Sequence, residues 1–181
     1  MIKTPFQFQF DAPTFGTPHC GAIMSDDKLY RYALWRMWDA SLPVANFVLL
    51  NPSTADDEID DPTIVRLCRR AKQAKYGAVS VTNAYAYRAT KPDVLKRFAR
   101  DGGNPMGPLN DRAIIAFAST SRAVVLGWGR HIDEVVPDRQ ATIYALLRAA
   151  GVTWHTLGLN SDGTPKHPLY VPYSIVTPQG V

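Results

Sequence analysis

Three polar residues stand where apolar runs stop. Asn51 ends the run from Val44 to Leu50, Asn83 ends the run from Ala78 to Thr82, and His167 sits in the loop NSDGTPKHPLYVPY beyond a last apolar stretch. An apolar run of strand length that breaks at a polar turn delivers that turn to the carboxyl edge of a sheet, and open α/β sheets hold their ligands there. Amide and imidazole groups gathered on one edge can donate to and accept from a single small group. Singly, each has a plainer reading. An Asn at a strand end forms turns, and a His before a Pro caps a loop. Carboxylates are the other candidates: Asp56, Asp57, Asp60 and Asp61 precede a helical pattern at Pro62. There they complement the helix dipole or, in the alternative, hold a divalent metal.

The elements that would position these groups follow from periodicity. Tyr30 to Trp38 alternates as a strand, and Asp39 to Pro43 turns it into the central run, which predicts an antiparallel hairpin at the entry to the sheet. Ile64, Val65, Leu67, Cys68 and Ala71 recur at helical spacing, and the pattern closes at Gly77 after the basic residues Lys72 and Lys75. The strand over Ala78 to Thr82 follows. Helices are expected from Pro92 to Arg100, from Asn110 to Thr120 with a cap near Asn110, and over residues 137 to 150. Ala123 to Leu126 and Val152 to Leu159 read as the third and fourth core strands, the third ending in Gly127-Trp128-Gly129. This alternation predicts α/β architecture, a three-layer α/β/α domain around a mostly parallel four-stranded sheet, with an N-terminal antiparallel hairpin. Residues 1–29 read as an irregular extension and 30–181 as the core of one domain spanning 1–181.

Composition narrows the class. A chain of 181 residues that is 46% hydrophobic can bury one sizeable core. No apolar run approaches the roughly 20 residues of a membrane span. The first residues alternate polar and aromatic types without an apolar block, so neither a signal nor a transit peptide is read, and a cytoplasmic, monomeric protein with no membrane partner is expected. Cys20 and Cys68 are too few for a metal cage and suit a reducing compartment. The net charge of +4 and pI near 9.1 suit a nucleic-acid partner. The basic residues that follow the first loop, Arg66, Arg69, Arg70, Lys72 and Lys75, read equally well as the solvated side of a helix.

From Phe47 to Tyr173 the sequence resembles the uracil-DNA glycosylase superfamily. LNPST (Leu50 to Thr54) is similar to that superfamily's first motif, VTNAYAYR (Val81 to Arg88) to its second-strand Asn motif, AVVLGWG to its later strand, and HPLYVP (His167 to Pro172) to its final His-Pro motif, in the same order and approximate spacing. The chain resembles more closely a bacterial and phage family, DUF1643, with LNPSTAD, DDPT and HPLYxPY motifs.

The glycosylase resemblance implies a site. Asn51 would hold the water and face the sugar, and His167 would donate to the oxyanion that develops on the leaving base. Asn83 would read the base edge, with Pro52 and Tyr85 beside it. Ser53, Thr54, Arg88, Arg130 and Lys166 would contact DNA, and Leu169 and Tyr170 would stand where those enzymes wedge the duplex open. Two departures bear on the substrate: Ser53 is neither the Gly nor the Tyr of other branches, and Leu169 replaces a phosphate-binding Ser. With two Cys no iron–sulfur cluster is expected, and no cofactor is read.

The sequence is compatible with three functions. The first is a hydrolase that cleaves the N-glycosidic bond of a flipped, damaged or modified base in DNA. The second is a non-catalytic nucleic-acid or nucleotide binder of the same fold. The third is a metal-dependent small-molecule hydrolase that uses the acidic run.

Overall fold

The computed structural model describes residues 20–53 and 60–174. Six strands form one mixed sheet: β1 (Cys20–Met24), β2 (Arg31–Met37), β3 (Val44–Leu49), β4 (Ala78–Asn83), β5 (Ala123–Leu126) and β6 (His155–Thr156), in the order β1-β2-β4-β3-β5-β6. Between them run α1 (Pro62–Gln73), α2 (Pro92–Arg100), α3 (Asn110–Thr120), the short α4 (Ile132–Val135) and α5 (Arg139–Ala149). A 3-10 turn, Pro168–Tyr170, follows β6.

Alternation along β3 divides the core. Ala45, Phe47 and Leu49 pack with Ile64, Leu67 and Ala71 of α1 on one face of the sheet. Val48 and Leu50 pack on the other with Leu95 of α2, Ile114 and Ala118 of α3, and Ile143 and Leu147 of α5. Each helix buries a stripe and the sheet buries both faces, so the central strands read as continuous apolar runs.

The expected four-stranded, mostly parallel sheet needs correction. A parallel block, β4-β3-β5-β6, is present, but the same sheet continues past β4 with β2 antiparallel to it and β1 antiparallel to β2. The expected hairpin between the second strand and the central run does not form. Instead β2 pairs with β1 on one side and β4 on the other. Gly77 sits at the crossing. Trp38 N and Asp39 N donate to its carbonyl, and its own N–H donates to Pro43 O, so the turn out of β2 wraps over the start of β4. A Cβ there would lie 1.8 Å from Asp39 O.

Smaller differences have local causes. Residues 20–24, expected to be irregular, form β1, with the Trp35 ring lying where a side chain at Gly21 would go. The fourth core strand is only two residues long; beyond it the chain turns through Gly158, at φ +122°, and Leu159 bridges Pro165. Asn110 does not cap α3. Leu109 occupies that position, and the Asn110 side chain is buried beneath the sheet edge.

The wrap at Gly77 sets the first test. Gly77→Ala must push the 38–43 turn off β4, and overpacking of this kind costs about 1–3 kcal/mol. A denaturant midpoint unchanged from wild type would show that the turn yields freely.

Candidate functional site

A crevice of about 600 Å³ opens at the carboxyl edge of the parallel strands. Asn51, Asn83 and His167 all line it, with Ser53, Asp61, Trp128 and Gly129. It exists because β3 lies between β4 and β5: Ala84 N donates to Leu49 O (2.7 Å), Tyr85 N to Leu50 O (2.9 Å) and Gly127 N to Val48 O (2.9 Å) before the chains part.

The two amides are in opposite states. Asn51 Nδ2 donates to Ala89 O (2.7 Å) and Pro52 O (3.0 Å). Two carbonyl acceptors fix which end is nitrogen, so Oδ1 is the end left for the crevice. Asn83 is 1% exposed, and neither its Nδ2 nor its Oδ1 has a hydrogen-bond partner among the described residues. Each buried polar group left without a partner costs about 1–3 kcal/mol, a cost that a ligand able to donate and accept would relieve. The backbone around Asn83 is nevertheless held firmly. Asn110 Nδ2 donates to Asn83 O (2.9 Å) and Ala84 O (3.0 Å), and Arg139 Nε also donates to Ala84 O (2.9 Å).

His167 is held from both sides. Leu169 N donates to its Nδ1 (3.3 Å), so the ring caps the Pro168–Tyr170 turn, as the plainer reading has it. That bond leaves the proton on Nε2 in the neutral ring. Burial pushes the imidazole pKa below its ordinary 6.5, and the Asp61 carboxylate partly offsets this. His167 is thus a neutral donor. Its segment is clamped by α1: Arg66 Nε donates to Pro168 O (3.1 Å), Arg66 Nη2 to Val171 O (2.6 Å) and Arg70 Nη2 to Pro172 O (2.8 Å), with all three arginines of this helix face stacked around Tyr173. Gly127 allows Pro168 to approach the end of β5, since a Cβ would lie 2.6 Å from Pro168 Cδ.

The remaining expected site residues divide. Arg130, Lys166 and Leu169 line the crevice, as does Tyr170, 81% exposed. Arg88 lies instead in a smaller adjoining hollow with Lys28, Leu29, Ser53, Ala89 and Thr90. Tyr85 does not line the crevice. It is buried in the second core cluster, its hydroxyl donating to Ile132 O, because the ladder continues two residues past Asn83 and turns the ring inward. Pro52 is buried and contributes its carbonyl to Asn51 and Ala89 N. Ser53 does line the crevice, but its hydroxyl donates to Asp61 Oδ2 in a very close contact. Thr54, Asp56 and Asp57 lie outside the described residues.

Of the acidic run, Asp60 pairs with Arg36 (2.8 Å) and Asp61 caps α1, accepting from Thr63 N (2.8 Å) and Ile64 N (2.9 Å). Among the described residues no group of three or more His, Cys, Asp or Glu is placed to hold a metal, and no helix is long and apolar enough to cross a membrane. Arg31, 2% exposed on β2, also lines the crevice. Its alternation with Tyr32 gave no sign of this, because β2 was expected beside β3 and not beside β4.

A family model described as a protein of unknown function, DUF1643, matches residues 31–169. No curated protein and no solved structure matches the chain.

The half-buried His167 imidazole, with its pKa lowered by desolvation, gives stability a pH dependence. Between the depressed folded pKa and 6.5 the unfolded chain binds more protons than the folded one. Stability therefore rises with pH across that window, and the cost of charging His167 grows as pH falls below 6.5. Melting curves from about pH 7.5 to about pH 5 should fall more steeply for wild type than for His167→Gln. Parallel curves would mean that the ring charges without cost.

Proposed function

We propose that this chain, which belongs to the DUF1643 family of proteins of unknown function, binds an extruded nucleobase in the crevice and hydrolyses its N-glycosidic bond, in the manner of the uracil-DNA glycosylase superfamily. The observation that carries the reading is the Asn83 amide, rigidly placed, buried, and without a partner for either end among the described residues. A base edge presents a donor beside an acceptor in one plane, which is what a single amide matches.

The other groups fit the same reaction. Cleavage of the bond builds positive charge on the sugar and negative charge on the base. A neutral His167 with its proton on Nε2 can donate to the base carbonyl as that charge develops, and it holds no positive charge against the cationic sugar. Asn51 Oδ1 can accept a hydrogen bond from a water and orient it. Arg130 and Lys166 beside the crevice, and Arg88 and Lys28 at the adjoining hollow, supply cations for phosphates. Tyr170 and Leu169, at the crevice and next to His167, present apolar surface to a duplex.

The test uses duplexes that carry uracil, a mismatched thymine, hypoxanthine or a hypermodified pyrimidine, read by strand cleavage after alkali. Affinity should fall steeply with salt as phosphates exchange counterions for Lys and Arg. Asn83→Ala should weaken both binding and rate, and His167→Ala should lower the rate by ~10²-fold or more, the scale of losing one oxyanion donor. Asn51→Ala should lower turnover by a similar ~10²-fold while leaving affinity nearly intact. Salt-dependent binding without cleavage of any duplex would favour the non-catalytic binder; retention on DNA that ignores salt would remove the nucleic-acid partner.

A further inference from the structure

We propose that Asp61 is a catalytic carboxylate, taking the proton of the attacking water on Oδ2 and stabilising the cationic sugar while the same side chain caps α1. The inference rests on the glycosidase reading above. Asp61 is the one acidic residue among those described that line the crevice; the Asn51 and Asn83 amides are neutral, and the other charged groups there, Arg31, Arg130 and Lys166, are basic. A reaction that develops a cation in such surroundings needs a compensating negative charge.

The side chain is held as a reacting group must be. Oδ1 accepts from Thr63 N and Ile64 N, and Oδ2 takes the Ser53 hydroxyl, two residues after Asn51. A carboxylate has about four acceptor positions, so Oδ2 keeps capacity for a water after binding Ser53. The carboxylate also lies close enough to His167 to act electrostatically on its ring. A helix cap by itself requires neither a place in the crevice nor the serine. Ser53, committed as a donor, is a positioning residue and not a nucleophile.

One O–H bond of water breaks and its proton passes to Asp61 Oδ2 as the oxygen bonds to the anomeric carbon. The carbon–nitrogen bond breaks and its electron pair leaves with the base, whose carbonyl oxygen takes the hydrogen bond from His167 Nε2. The base anion then takes a proton from solvent, and Asp61 releases its own to solvent.

Asp61→Asn separates the two roles, because Asn caps a helix as well as Asp does. The first measurement needs no turnover: affinity for a duplex carrying a pyrrolidine abasic analogue, cationic in the sugar ring, against one carrying neutral tetrahydrofuran. Wild type should prefer the cation by ~10-fold or more, and Asp61→Asn should lose that preference with its melting temperature and its affinity for the neutral duplex unchanged. The second is single-turnover cleavage, which should fall by ~10²-fold or more in Asp61→Asn. A cation preference that survives the substitution, a wild type that binds both duplexes equally, or an Asp61→Asn variant that cleaves at the wild-type rate would each overturn the role of Asp61 and leave the base pocket standing. A wild type that binds neither duplex would overturn the glycosidase reading and this inference with it.

Discussion

Everything at the crevice depends on how β3 ends. Its last carbonyls are bonded to β4 on one side and β5 on the other, at Leu49 and Leu50 to Ala84 and Tyr85, and at Val48 to Gly127. Beyond that point the chains separate, since the connections through α1 and through α2 and α3 lie on opposite faces of the sheet. A gap at the switch point is thus a consequence of strand order and not of any particular side chain. Asn51, Asn83 and Gly129 are carried to its walls by backbone hydrogen bonds, which fixes them more tightly than a loop alone could.

The wall formed by the last segment is attached differently. It is not a strand of the sheet: β6 ends at Thr156, and the backbone bonds beyond it are few, the Leu159–Pro165 bridge and those from Gly129 N to Pro165 O and from Lys166 N to Gly158 O. The guanidinium groups of α1 take over, bonding the carbonyls of Pro168, Val171 and Pro172 and packing around Tyr173. A planar guanidinium can bind several carbonyls at once and still stack on a ring, which Lys cannot do. One helix therefore joins the first motif to the last: Asp61 starts it beside Ser53, and its second and third turns hold His167. Any shift of α1 would move both the carboxylate and the imidazole.

Much of this was legible in the sequence. The apolar runs, the Gly and Pro breaks and the helical stripes located β3, β4, β5, α1, α2 and α3 closely, and with them the edge on which Asn51, Asn83 and His167 meet. What was not legible depends on contacts distant along the chain. The insertion of β4 between β2 and β3 is accompanied by a close approach of Asp39 O to Gly77, where a Cβ would clash, a feature of packing that no periodicity reports. Misplacing β2 hid Arg31. Tyr85 looked available because it follows Asn83, but two further ladder bonds direct it inward. Arg66 and Arg70 looked like a solvated basic face and are instead bonded to backbone roughly a hundred residues on, which the charge pattern alone could not distinguish.

The charge layout of the crevice imposes a division of labour on any reaction there. Arginines and a lysine draw an anion toward the opening, but the same positive field would oppose a cation forming inside it. Neutral groups in its walls, the buried Asn83 amide and a half-buried imidazole whose pKa desolvation lowers, limit that opposition. A fixed carboxylate close to the ring can reverse it over a few ångströms, because opposite charges in a partly dry site attract by several kcal/mol at an effective dielectric of about 20. In water the same carboxylate would be worth little. Closing the crevice over a bound nucleotide would therefore strengthen the attraction of the carboxylate for the developing cation alongside the hydrogen bond from His167, and the apolar surface that Leu169 and the exposed Tyr170 offer to a duplex is what such closure would cover.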